Sequence, residues 1–128
     1  HDAGNSLNSA IDIGQIEGGF IQGMGWLTTE ELVWDERGEL KTHAPSTYKI
    51  PCASDRPKIF NVSLFDNLNV ENTIYKSKAV GEPPFMLGIS VFLALRNAVS
   101  ACGNEWPILN APATPENILR AVRRVNGT

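Results

Sequence analysis

Cysteine is scarce in this chain, which has only Cys52 and Cys102 among its 128 residues. Neither cysteine has a second cysteine or a histidine at the spacing of a metal site. The sequence therefore indicates neither a disulfide scaffold nor a zinc or iron–sulfur site made by this chain alone. We expect two buried or idle thiols in a reducing compartment, the cytoplasm.

Long apolar runs and an excess of one charge are also missing. The longest apolar run, residues 91–95, is far shorter than the roughly 20 residues that cross a bilayer, so we predict no membrane span. Eleven basic and 14 acidic residues give a net charge of -3, which does not favour a nucleic-acid partner. The chain has no initiator Met and no signal peptide, and we expect it to be a piece of something longer.

What the sequence does contain is enough apolar mass for one core, since 42% of the residues are hydrophobic. Apolar residues at steps of three or four predict a helix over residues 11–27, with Ser9 and Asp12 as a capping box. Residues 32–42 are typical of a hairpin, 60–64 of a strand, and 73–80 of extended chain. Further helices are predicted over 85–101 and from Thr114 onward. The fold class that follows is α+β, with helices packed on a small antiparallel sheet.

The first predicted helix is unusually rich in glycine, and each interior glycine costs about 1 kcal/mol relative to alanine. The glycines are Gly14, Gly18, Gly19, Gly23 and Gly25. Pairs four residues apart clear a patch of helix surface for another backbone or a flat ligand. Tight internal packing and a ligand platform are equally good interpretations. In the second case Gln15 would offer a donor and an acceptor to a bound heterocycle.

A second notable segment is K-A-V-G-E-P-P, residues 78–84. A residue before proline is disfavoured in the α region, so we expect Glu82 to be extended and its carboxylate to be fixed in place. An acid at a helix N-terminus stabilises the helix dipole, and composition alone favours that role. A carboxylate between apolar segments is also a way to hold a general base.

Several motifs together resemble a known family. They are S-L-N at 6–8, D-I-G-Q-I-E-G-G-F at 12–20, Q-G-M-G at 22–25, P-S-T-Y-K-I-P at 45–51 and S-K-A-V-G-E-P-P-F at 77–85. In order and spacing, residues 5–102 resemble the C-terminal part of the molybdopterin-binding subunit in the xanthine oxidase and aldehyde oxidase family. The resemblance implies that residues 1–128 are part of a larger molybdopterin-binding domain.

The resemblance also implies an activity, cofactors and site residues. Glu82 would be the general base of a molybdenum hydroxylase that oxidises hypoxanthine and xanthine to xanthine and urate, with water as the oxygen source. Gln15 would contact the molybdopterin, and Val80 and Gly81 would lie near it, with no metal ligand from this chain. FAD and [2Fe-2S] clusters are expected on other domains or subunits of an oligomeric enzyme. The alternatives are an aldehyde oxidase, another N-heterocycle hydroxylase, or a non-catalytic assembly module.

Overall fold

Three α-helices form the framework of this protein in a computed structural model that describes residues 1–127. They are α1 (Ser9–Thr28), α2 (Ile89–Ser100) and α3 (Pro115–Asn126). Short 3-10 helices lie between them at Ala53–Asp55, Ile74–Lys76 and Pro83–Gly88. Residues 1–127 contain no β-strand longer than an isolated bridge and no sheet, so the predicted α+β class with an antiparallel sheet is wrong.

Helix α1 confirms the periodicity of the sequence but begins at a different cap. Asn8 is the N-cap, and its side-chain oxygen accepts hydrogen bonds from the Ala10 and Ile11 N–H groups at 3.2 and 3.3 Å. Ser9, the predicted cap, is already the first helical residue. Asn satisfies the free N–H groups of a first turn at least as well as Ser, which explains the shift of one position.

The predicted strands fail for one physical reason. The hairpin at residues 32–42 is reduced to a single antiparallel bridge between Trp34 and Leu40. Residues 60–64 have no regular secondary structure, and 73–80 contain a 3-10 helix instead. An alternating pattern fits a strand, but a sheet requires a second strand to complete the hydrogen-bond ladder.

The predicted helix over residues 85–101 divides into two parts. Pro83–Gly88 is a 3-10 helix, and α2 continues from it. The 18 residues Pro83–Ser100 have a mean hydropathy of 1.2, which by length and composition alone would permit a membrane crossing. One helix of this kind is weak evidence, because core helices of soluble proteins have the same property.

Helix α3 packs against α2 and forms the small core. Thr114 caps α3 by accepting a hydrogen bond from the Asn117 N–H at 3.3 Å, and Gly127 ends it in the left-handed region. This confirms the predicted start at Thr114. The buried core residues are Val99, Leu109, Ala113, Ala121 and Val125.

Candidate functional site

The glycines of α1 are divided between two environments. A Cβ on Gly19 would lie 3.1 Å from the Phe85 nitrogen, and one on Gly23 would overlap the Phe85 carbonyl oxygen. The 3-10 helix Pro83–Gly88 therefore rests directly on the α1 backbone at these two positions. Gly14 and Gly18, in contrast, have open space around them. Internal packing thus explains one pair of glycines, while the other pair leaves a bare helix surface.

This packing brings the Gly81-Glu82 turn to the side of α1 that carries Gln15. A Cβ on Gly81 would lie 3.7 Å from Oε1 of Gln15. Both residues are exposed, and Val80 beside them is half-buried. The structure thus places the Gln15 amide next to Gly81, and the other two predicted site residues, Val80 and Glu82, are the chain neighbours of Gly81.

Glu82 differs from the prediction in its backbone but keeps an available carboxylate. Its φ and ψ are -69° and -34°, so it is helical and not extended. Its carbonyl oxygen accepts a 2.9 Å hydrogen bond from the Phe85 N–H, and this 3-10 turn outweighs the preference imposed by Pro83. The side chain is exposed and makes no capping hydrogen bond. A capping role is therefore poorly supported, and the carboxylate is free to meet a ligand.

The loop before Glu82 has an uncommon backbone. Tyr75, Lys76 and Ala79 have φ values of 51°, 58° and 67°, in the left-handed region that non-glycine residues rarely adopt. Each such residue costs of order 1–3 kcal/mol and persists only where its surroundings hold it. Contacts from the N-terminal residues fill that role, since the Lys78 N–H donates to the Asp2 carbonyl oxygen at 2.9 Å.

A buried acid fixes the P-S-T-Y-K-I-P segment to the end of α1. Glu30 is 8% exposed, and its side chain lies against Gly25. The Tyr48 hydroxyl donates a hydrogen bond to the Glu30 carboxylate, and this bond raises the pKa of Tyr48. Sequence reasoning missed both this pair and the contact of Asp2 with Lys78, because neither pair is close in sequence.

The described residues contain no group of three His, Cys, Asp or Glu side chains that could hold a metal ion. The polar groups of this region are instead the Gln15 amide, the Glu82 carboxylate and backbone groups beside the open glycines. That set suits a flat, hydrogen-bonding organic cofactor better than a bare ion, since the amide both donates and accepts. If such a group binds here, Gln15, Gly81 and Val80 are the residues that would hold it.

Comparisons with known proteins agree with this chemistry. Residues 1–57 match the family model of a molybdopterin cofactor-binding domain. The chain is 49% identical to a xanthine dehydrogenase of Oryza sativa subsp. japonica and 50% identical to aldehyde oxidase 1 of Macaca fascicularis, each over 94% of its length. It spans about a tenth of each relative, 10% and 9%.

The structure has a counterpart among solved proteins as well. Quinoline 2-oxidoreductase from Pseudomonas putida 86 superposes with a TM-score of 0.79 at 28% identity. That similarity covers 97% of this chain and 15% of the other. Both the sequence and the structural likeness therefore extend past residue 102, the end of the resemblance described from the sequence alone.

Proposed function

We propose that this chain supplies the general base and a cofactor contact for hydroxylation of a purine in the complete protein. The similarities place the chain in the xanthine oxidase and aldehyde oxidase family. The observation that carries the proposal is the position of Gln15 Oε1 beside Gly81, next to an exposed Glu82. An amide that would hold the cofactor and a carboxylate that would activate water then occur on one surface.

The roles of the residues follow from their chemistry. The exposed Glu82 carboxylate accepts a proton from the water-derived nucleophile that attacks the ring carbon of the substrate. The Gln15 amide donates to and accepts from the pterin, and Gly81 and Val80 border the same site. Bound molybdopterin supplies the metal centre that accepts the two electrons lost by the substrate carbon.

The complete reaction extends beyond this chain. Oxidation of a purine carbon consumes one water and releases two electrons and two protons. We infer that the electrons leave through [2Fe-2S] clusters and FAD on other domains or subunits of an oligomeric enzyme. The two free thiols, Cys52 and Cys102, are both exposed, which fits a reducing compartment such as the cytoplasm.

Substrate choice is tested directly on the complete, molybdenum-loaded protein. We expect kcat/KM for xanthine or hypoxanthine to exceed that for benzaldehyde by about tenfold or more, a difference of about 1.4 kcal/mol in barrier. The similarity to aldehyde oxidase 1 of Macaca fascicularis makes aldehyde oxidation the second candidate. A higher kcat/KM for the aldehyde would select it over the purine reaction.

The open glycine surface gives a prediction about cofactor binding. Gly18 follows Gln15 by one helical turn and has nothing within 4 Å of its would-be Cβ. Gly18→Leu in the complete protein should therefore lower molybdopterin content by placing a side chain where the cofactor side of α1 must stay bare. Ala10→Leu, at an exposed position in the first turn, is the matched control and should keep its molybdenum. Equal metal content in both variants would show that this surface does not face the cofactor.

A further inference from the structure

The first four residues lie along the loop that leads to Glu82. The Asp2 carbonyl oxygen accepts the Lys78 N–H at 2.9 Å, and the Asp2 side chain accepts the Gly4 N–H at 2.8 Å. The ring Nε2 of His1 is hydrogen-bonded to the Ala79 carbonyl oxygen. The Asp2 main chain and the His1 side chain thus hold the loop by hydrogen bonds to the main chain of Lys78 and Ala79, four and three residues before Glu82.

Gly4 lets the two segments approach closely. Its φ of +77° is in the left-handed region, and a Cβ there would lie 3.0 Å from the Tyr75 carbonyl oxygen and 3.2 Å from that of Lys76. Tyr75 and Lys76 are themselves left-handed. Left-handed residues in the loop therefore lie against a left-handed glycine in the segment that supports it. The Asp2 side chain holds Gly4 in that conformation through the Gly4 N–H.

We propose that Asp2 is a positioning residue for Glu82: by holding residues 1–4 in shape, it keeps the 75–79 loop, and with it the Glu82 carboxylate, in the direction needed for proton transfer. The inference rests on the proposed function, since it assumes that Glu82 is the base. The two hydrogen bonds of Asp2 go to backbone N–H groups, so its effect would pass through the Lys78 bond and the turn at Gly81.

The first experiment measures the loop without any cofactor. In cofactor-free complete protein, the amide hydrogen of Lys78 should exchange slowly, because it is bonded to Asp2, and Asp2→Ala should speed its exchange. Asp2→Asn should restore slow exchange, because the amide oxygen accepts the same bond from Gly4. Asp66→Ala is the control. Asp66 is an exposed acid that lines the same cavity as Asp2 and has no hydrogen bond to the loop. Fast exchange at Lys78 in the unsubstituted protein would overturn the proposal even if the variants failed to fold.

The second experiment measures turnover per molybdenum. Asp2→Ala should lower kcat by about 10- to 100-fold with KM within about threefold, the result of a misplaced catalytic group. Asp2→Asn should recover most of that loss, whereas Asp66→Ala should match the parent. An unchanged kcat in Asp2→Ala, or a loss that Asn does not rescue, would overturn the positioning role.

A double-mutant cycle separates this inference from the function beneath it. If Asp2 acts through Glu82, the double variant Asp2→Ala, Glu82→Gln should have the same rate of single-turnover reduction as Glu82→Gln alone. If the two losses multiply, Asp2 does not act through Glu82, and the positioning role is wrong while the base assignment stands. If Glu82→Gln alone keeps the parent rate, the proposed function is the part that fails.

Discussion

Glu82→Gln in the complete protein should fold, bind molybdenum and lose almost all turnover. The amide has nearly the shape of the carboxylate but cannot accept the proton. Removal of a general base costs about a hundredfold to ten-thousandfold, and we expect the upper end because this base would generate the nucleophile itself. The Glu82 side chain makes no capping hydrogen bond, so the substitution removes no such bond. The measurement is the rate of reduction by xanthine per molybdenum.

A helix-cap role predicts the reverse pattern for the same variant. Stability would fall by roughly 0.5–2 kcal/mol, and the rate per molybdenum-loaded enzyme would hardly change. Thermal unfolding of parent and variant is therefore measured alongside the rate. A rate within about threefold of the parent, less than 1 kcal/mol of barrier, would mean that Glu82 is not the base.

Gly23→Ala should cause the second large effect, a loss of packing between α1 and the Pro83–Gly88 segment. The new methyl group would overlap the Phe85 carbonyl oxygen, and a Cβ at Gly88 on the facing side would lie 2.6 Å from the Met24 nitrogen. Backbone atoms on both sides leave no flexible group to yield. Overpacking costs about 1–3 kcal/mol or more, which exceeds the gain of up to about 1 kcal/mol in helix propensity.

The readouts for Gly23→Ala are molybdenum content and amide exchange over residues 83–100, both of which depend on this contact. The matched control is Gly14→Ala, the same change in the same helix, where a Cβ would meet nothing within 4 Å. In Gly14→Ala, the amide hydrogens of residues 83–100 should exchange no faster than in the parent. Amide exchange as slow in Gly23→Ala as in Gly14→Ala would show that the contact at Gly23 is not tight.

The parts of the fold that sequence predicts are those fixed by near neighbours. The spacing of Ile13, Ile16 and Phe20 predicts α1, and Thr114 followed by Pro115 predicts the start of α3; both helices are present. The prediction of a sheet was wrong because a strand needs a partner strand, and alternating apolar and polar residues in one segment do not show whether a partner exists. The prediction of an extended backbone at Glu82 was wrong. The hydrogen bond from the Phe85 N–H to the Glu82 carbonyl oxygen overrides the local steric preference of a residue before proline.

The candidate site follows the same division. Gln15 and Glu82 stand out as residue types in glycine- and proline-rich motifs, yet only the packing of Gly19 and Gly23 against Pro83–Gly88 brings Gln15 next to Gly81, the residue before Glu82. The support from the N-terminal residues is still less visible in sequence, because His1 and Ala79 are separated by 78 positions. A glycine two residues after an aspartate is the one local sign of the turn at Gly4.

The most direct test of the central claim, that Gln15 and Glu82 face one cofactor, is a crystal structure of the complete, molybdenum-loaded protein with a bound purine. We predict the Gln15 amide at hydrogen-bond distance from the cofactor, about 2.7–3.2 Å, and the Glu82 carboxylate within reach of the metal centre and the reacting carbon, directly or through one water. A cofactor seated away from both side chains, with Glu82 facing protein or solvent, would contradict the account.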